Sequence, residues 1–474
     1  MKSKSSFYIF FICFLIISFL QATCVSKSMA LTVGEEREIG EKLLYQIRLA
    51  FPLLDDPDIS QYINELGREV LDVSGVQYFD YHFNIIASSQ FNAFAAPSGL
   101  VFFYSGLIEK MDHEDELVSV LAHEIGHVVA RHIATGMDRG AKIGVTTTLL
   151  ALASLALGVG ALSQALLTGS LAAGQAANLH FSRKYEEEAD RLAYGWMKTM
   201  GRNPLGQEEM LQTMRRINRY TMGNKIPQYL LTHPYPAERL DYVQSLISYD
   251  NKELQGFSET DDFAFLRMKF RILSLVKDGK TLRNFFNSSL VDPSNSESTK
   301  IMLRYGLSQL DRQENNFESS KKLLNEVIAY YPQQSILLVD LGLVEMEEGN
   351  KERALALLTK AYNSNRDDMW ATFQLARLWT ELDNPDKAEQ YLQEVQRSMP
   401  DYSKVYFELG KLKAKKGEAG NSAFFLGKYN LYEGRLKLAR HNFRVAATDS
   451  GLDESHKDEI KKMQGILDRL EEKE

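Results

Sequence analysis

The stretch LAHEIGHVVARH, Leu121 to His132, decides how the rest of the chain is read. His123 and His127 stand four residues apart, and on a helix that interval puts both imidazoles on one face, about one turn from each other. Two nitrogens so placed suit a tetrahedral zinc ion, which in catalytic sites keeps one position for water. Glu124, directly after the first histidine, reaches that water without ligating the metal, so the expected set is one zinc per chain, a water and a general base. The acids from Asp112 to Glu116 favour a helix start. Leu117, Val120, Leu121, Ile125, Val128 and Val129 are expected to bury one side of the helix, with His123, Glu124 and His127 on another. His132 falls outside the pair and reads as a hydrogen-bonded neighbour, not a ligand.

A third protein ligand must come from elsewhere. Downstream, FSRKYEEEADRLAY (Phe181 to Tyr194) is an amphipathic helix pattern with a dense acidic cluster. Glu186 and Asp190 are again four residues apart. A carboxylate from this helix completes a two-histidine, one-glutamate set, and Asp190 is placed to accept the remaining ring N–H of a ligand histidine. Spacing leaves Glu187 and Glu188 open beside Glu186.

The 474-residue chain is too long for one ordinary core and predicts two or three domains. Lys2 and Lys4, the apolar run Phe7 to Leu20 and the small-residue site Ser28-Met29-Ala30 read as a signal peptide over residues 1–30, cleaved after Ala30. Gln21 and Thr23 do not suit a lipoprotein site at Cys24, so lipidation is not expected. Both cysteines, Cys13 and Cys24, lie in the leader. Disulfides, thiolate metal sites and a cysteine nucleophile are thereby ruled out for the processed chain. Without Lys2, Lys4 and Lys27, 52 basic residues face 63 acidic ones, a formal charge of −11 that argues against a nucleic-acid partner.

In chain order, Thr32 to Ala50 and Asp58 to Leu71 read as amphipathic helices. Tyr81 to Ala87, Phe91 to Ala96 and Leu100 to Tyr104 read as three strands of a small antiparallel sheet, with an edge strand able to add an extended substrate. Ile143 to Ser182 carries no formal charge over 40 residues. Its serines, glutamines and Asn178 predict helices packed beside the site, or lying on a membrane surface as a peripheral contact through 143–182.

HEIGH with Arg131-His132, then Ser182-Arg183 and the Glu186 to Asp190 pair, then Thr232-His233-Pro234, resembles the M48 family of zinc metallopeptidases. Asn92-Ala93-Phe94-Ala95 and Ser105-Gly106-Leu107 also look like that family's upstream signature. The resemblance covers about Leu31 to Leu246. It implies an α+β zincin-like metallopeptidase domain, makes Glu186 the third ligand with Asp190 supporting the ligands from behind, and places His233 at the metal as an oxyanion stabiliser or a latch. It also places a basic residue, Arg239, near the site.

Beyond a polar linker at 249–262, Gly342, Ala376 and Gly410 recur every 34 residues, each after a leucine, and Ala354 and Ala388 follow the first two by 12. Gly306 with Pro332 marks an earlier copy, and Gly427, Ala439, Phe443 and Ala446 a final overlapping one. The period resembles tetratricopeptide repeats, an all-α solenoid over 263–474 following the peptidase domain at 31–248, with a surface suited to protein binding. Lys415, Lys416, Glu345, Glu347 and Glu348 read as solvated faces. The whole arrangement resembles repeat-bearing M48 peptidases of the bacterial periplasm. It implies protein substrates, a role in envelope protein quality control and contact with the outer-membrane β-barrel assembly machinery.

Overall fold

The computed structural model describes residues 31–136, 181–220, 227–254, 256–257 and 260–471. The expected leader and the uncharged insert up to residue 180 lie outside the described residues. The chain opens with α1 (Val33–Ala50) and α2 (Pro57–Ser74), each started by the chemistry its sequence offers. Thr32 and Glu35 form a reciprocal capping box at α1, and Asp56 caps α2 by accepting the Ile59 N–H at 2.9 Å.

Three strands follow: β1 (His82–Ile86), β2 (Ala93–Ala96) and β3 (Leu100–Tyr104). Their order is β1-β3-β2, and the sheet is mixed, where the sequence predicts an antiparallel one. β2 and β3 form the expected antiparallel pair, Ala93 opposite Phe103 and Ala96 opposite Leu100. β1 lies parallel to β3, His82 opposite Leu100. The cause is the connection at 87–92, which carries the chain past β3 before β2 begins. That connection is clamped to the end of β3: the Gly106 N–H donates to the Ser88 carbonyl at 2.8 Å, and the Ser105 hydroxyl donates to the same carbonyl at 2.8 Å. A side chain on Gly106 would meet the Ser89 backbone at 2.4 Å, so only glycine permits this approach.

All of β3 is buried, and its alternation sorts the core. Leu100, Phe102 and Tyr104 pack with Ile39, Leu43 and Ile47 of α1 and with Phe51 just after it, and Phe94 stacks on Phe102 at 4.9 Å. Val101 and Phe103 face α2 and the next helices. Burying such a side chain fully contributes about 1.5–3 kcal/mol, so this short sheet anchors both flanking layers.

A single turn, α3 (Ser105–Ile108), leads into α4 (Glu114–Val129) and α5 (His132–Gly136). α4 is buried almost all round, not on one side only. α2 and the sheet cover the predicted apolar side, while α6 (Arg183–Met200) and α7 (Leu205–Tyr220) cover the other. The peptidase half closes with α8 (Gln228–Thr232) and α9 (Pro236–Leu254). Because α9 continues to Leu254, the polar stretch expected as a linker from Tyr249 begins inside a helix.

The C-terminal half is helical throughout its described residues. α10 (Phe263–Val276) and α11 (Gly279–Leu290) precede successive helix pairs. These are α12 (Glu297–Gln313) with α13 (Phe317–Tyr330), α14 (Ile336–Glu348) with α15 (Lys351–Ser364), and α16 (Met369–Glu381) with α17 (Pro385–Ser398). Then come α18 (Ser403–Lys415), α19 (Ala419–Tyr432), α20 (Leu436–Thr448) and α21 (Glu454–Glu471). The small residues of the 34-residue period sit where helices cross. A Cβ on Gly342 would come within 3.0 Å of Leu358, and one on Gly410 within 2.9 Å of Leu426, while Ala354, Ala376 and Ala388 are fully buried. The Ser320 hydroxyl donates to the Ser308 carbonyl and the Ser422 hydroxyl to the Gly410 carbonyl, both at 2.8 Å, one device used in two pairs. Glu345 departs from the expected solvated face: it is buried and held by Arg353 and Asn350, each at 2.8 Å. Glu347, Glu348, Lys415 and Lys416 form ion pairs nearer the surface, with Arg312, Lys321, Asp383 and Asp386 respectively.

One hydrophobic core runs from Ile59 and Val70 of α2 through α10 to Leu341 and Val344 of α14, so the two halves are not beads on a string. Buried charges stitch the same seam. Arg267 of α10 pairs with Asp58 at 2.8 Å and with Asp340 at 2.9 Å. Arg271 pairs with Asp56 at 2.8 Å and lies 4.5 Å from the Trp370 ring centre. No helix among the described residues is long and apolar enough to cross a membrane.

Candidate metal centre

Gly126, inside HEIGH, lets α6 approach α4: a Cβ there would lie 3.3 Å from the Ala189 Cα. This close crossing brings Glu186, one turn before Ala189, and Asp190, next to it, against the two histidines. His123 Nε2 and His127 Nε2 are 3.1 Å apart, as the i, i+4 spacing predicts. Glu186 Oε1 lies 3.4 Å from His127 Nε2, and Glu186 Oε2 3.5 Å from His123 Nε2. From the loop after α8, His233 Nδ1 comes within 3.1 Å of Glu186 Oε1 and 3.4 Å of His123 Nε2. These four residues form the group whose ligand atoms all lie within 4.8 Å of one another, and all four are buried.

The donor set fits a zinc ion. Bond lengths of about 2.0–2.1 Å in a tetrahedron set donor atoms about 3.3 Å apart, close to the separations found here. Glu186 Oε2 has the Arg239 guanidinium beside it at 2.9 Å, while His233 Nε2 is buried without a hydrogen-bond partner, an arrangement costly to a protein unless something else satisfies it. Both oxygens of Glu124 are equally without one, and Glu124 Oε1 stands 3.5 Å from His233 Nε2.

Neighbouring residues hold the rings. Asp190 Oδ1 lies 2.9 Å from His123 Nδ1, the contact expected from the spacing. His127 Nδ1 lies 3.0 Å from His132 Nδ1, so His132 is a neighbour of the pair, as predicted. In the acidic run the crossing selects: Glu186 and Asp190 turn inward, Glu187 pairs with Arg183 and Glu188 with His132. Arg239 sits deep in the centre. Its guanidinium donates to Asp190 at 2.7 and 2.8 Å and pairs with Glu186 at 2.9 Å. Arg131 turns away, with φ at 55°, and binds Glu36 at 3.1 Å.

Charge states follow from these contacts. Burial pushes the Glu186 and Asp190 carboxyls up, but His233 and Arg239 outweigh it at Glu186, and Arg239 and His123 at Asp190, which is held at about 2. Burial pushes the His127 imidazole well down. Burial and Arg239 also work against the charged His123 ring, yet Asp190 and Glu186 raise it to about 9. At neutral pH two carboxylates are thus ionised and His127 is neutral, states in which oxygen and imidazole nitrogen bind metal, whereas His123 carries a proton that it must give up to bind one.

Some contributors had no sequence signal. Tyr229 stacks on His233 at 4.4 Å, Phe181 stacks on His127 at 3.9 Å, and Gln207 donates to the Asp190 carbonyl at 3.2 Å. Aromatic and amide side chains are common in helices and loops, and only tertiary placement gives them this role.

A histidine pair with an adjacent glutamate on one helix, and a carboxylate delivered from a second, define the chain as a metalloendopeptidase. Residues 57–247 match the Peptidase family M48 model, and residues 345–415 match a tetratricopeptide repeat model. The chain carries a peptidase family M48 domain followed by tetratricopeptide repeats. It is 28% identical over 367 residues to the beta-barrel assembly-enhancing protease of Yersinia pestis, a match covering 77% of this chain and 74% of that one. To the protein of that name from Escherichia coli (strain K12) it is 30% identical over 326 residues, 67% of this chain and 65% of the other. Metalloprotease LoiP of Escherichia coli (strain K12) is 30% identical over 169 residues, covering 36% of this chain and 64% of that protein. The chain thus spans 74% and 65% of the length of these two beta-barrel assembly-enhancing proteases.

Proposed function

We propose that the chain is an exported zinc endopeptidase that removes misassembled outer-membrane or periplasmic proteins, its repeats engaging the client or the outer-membrane assembly machinery. The observation that carries this reading is the cluster of four buried donors beside the unbonded carboxylate of Glu124. His123, His127 and Glu186 hold the metal, and Asp190 with Arg239 fixes the orientation of His123 and the charge of the site. When bound, zinc supplies Lewis acidity towards a peptide carbonyl and a water molecule. Glu124 takes the water's proton and passes it to the leaving amine, and His233 supports the negative charge that develops on the carbonyl oxygen. We assign 31–248 to the peptidase unit, 249–262 to the linker and 263–474 to the repeats, with peripheral membrane contact through 143–182. The leader at 1–30 and the relatives named for β-barrel assembly support a periplasmic site of action.

The purified processed chain is expected to carry one zinc per molecule, to cleave casein or an unfolded β-barrel protein, and to lose cleavage on chelation and regain it with zinc. Metal analysis showing no zinc, or cleavage untouched by chelators, would overturn the reading.

A second reading has a specific observation behind it. His233 Nδ1 is one of the four clustered donors, placed as a fourth ligand would be, so His233 can act as a latch while the repeats work as a chaperone or scaffold. His233→Ala then raises casein cleavage several-fold; as an oxyanion stabiliser its loss lowers kcat by about 100-fold or more. Turnover of the variant against wild type separates the two.

A further inference from the structure

The helix that carries His123, Glu124 and His127 is capped from the other half of the chain. The first N–H groups of a helix have no partner inside it and are usually satisfied by a Ser, Thr, Asp or Asn just ahead of it. At α4 the residue ahead is His113. The N–H of Glu114 instead donates to Asp262 Oδ1 at 2.8 Å, across 148 positions of sequence. The other oxygen of Asp262 lies 2.6 Å from His113 Nδ1. Asp262 also immediately precedes α10, and its carbonyl accepts the Leu266 N–H at 2.8 Å. One residue therefore ties the N-terminus of the site helix to that of the first helix of the repeat half.

Its surroundings make the tie specific. The Thr260 hydroxyl donates to Asp115 at 2.6 Å, and the buried Lys269 of α10 donates to the Met111 carbonyl in the turn ahead of α4. Lys277 reaches Glu109 at 2.7 Å. Glu114 is drawn the other way, towards Tyr62 and Arg202, each at 2.6 Å. The acids that read as a simple helix-start signal thus lie in a polar joint where α2, α4, α7 and α10 meet. A helix is stiff along its axis, and His123 stands about 14 Å from Glu114. A shift or rotation at the first turn is therefore delivered to the histidines, whose partner Glu186 belongs to a different helix. A carboxylate at this end is also favoured by the helix dipole.

We infer that Asp262 is a positioning residue for the metal site: by holding the first turn of α4 it sets where His123, Glu124 and His127 stand against Glu186, and it makes that placement conditional on the docking of α10. The inference rests on the reading of these residues as metal ligands and base. The repeats then act on the peptidase site through its scaffold as well as by binding protein.

The test uses the full processed chain and three variants: Asp262→Ala, Asp262→Asn, and Asp278→Ala. Asp278 caps α11 through the Thr281 N–H at 2.9 Å, so its loss is the same chemical change at a cap remote from α4. Zinc affinity is measured by competition with a chelator, kcat and KM on a peptide substrate, and amide hydrogen exchange over residues 114–118. Asp262→Ala is expected to weaken zinc binding about tenfold, to lower kcat with KM little changed, and to speed exchange in the first turn of α4. Asp262→Asn, which keeps an oxygen for the Glu114 N–H, restores most of this, and Asp278→Ala changes none of it. Wild-type zinc affinity in Asp262→Ala, or an equal loss in Asp278→Ala, overturns the inference alone. A wild-type chain that binds no zinc overturns the metal reading and this inference together.

Discussion

Glu124→Gln is expected to lower casein turnover by about 1,000-fold while leaving the zinc content at one per chain. Glutamine keeps the volume and shape of the side chain, so the packing of α4 is preserved. What it removes is the basic oxygen. Glu124 is fully buried and neither of its oxygens has a hydrogen-bond partner, a placement that costs stability and that a merely structural carboxylate would relieve by pairing. His233 Nε2 stands 3.5 Å from Glu124 Oε1. Turnover is to be measured beside metal content and thermal unfolding. Undiminished cleavage by a folded, zinc-loaded variant would remove Glu124 from the proposed chemistry; loss of zinc would recast it as part of the binding site.

Arg267→Ala is expected to destabilise the chain by about 3–5 kcal/mol in urea unfolding. Arg267 is buried between Asp58, in the first turn of α2, and Asp340 of α14. Removing it leaves two carboxylates in the core with too little positive charge. Arg271 pairs with Asp58 at 2.9 Å and partly compensates there, whereas Asp340 keeps only the Tyr305 hydroxyl, at 3.3 Å. Asp340→Asn in the Arg267→Ala background should therefore recover part of the loss. A cost below about 1 kcal/mol would mean that the apolar seam alone joins the two halves.

The seam is a shared core with buried ion pairs, and the cap at Asp262 lies on it. The repeat helices are thereby packed against the scaffold of the metal centre.

Several features were open to reading because they are local. The helix start read at Thr32 follows from a side chain that bonds its own backbone within three residues, and the helix read from Asp58 begins at Pro57, just after the Asp56 cap. The histidine pair follows from helical pitch, and the 34-residue period from small residues required wherever two helices meet closely. The mixed sheet was not legible, because antiparallel pairing is the simplest reading of consecutive strands and the 87–92 connection overrides it. Nor was the burial of Glu345, since an acid in a polar run looks the same on a solvated face as against Arg353.

The sequence by itself determined the chemistry on offer: which residue types stand at ligand spacing, that a second acidic helix pattern follows them, and that a repeating helical half comes after. Spacing along one helix could not choose among Glu186, Glu187 and Glu188, because all three occupy the same turn. The crossing of α4 and α6 at Gly126 made that choice, turning Glu186 and Asp190 inward and leaving the others to Arg183 and His132. The depth of Arg239, the ring of Tyr229 against His233 and the remote cap of Asp262 were decided in the same way. Each depends on which surfaces meet in space, and partners as far apart as Glu114 and Asp262, 148 positions, carry no local mark of that meeting.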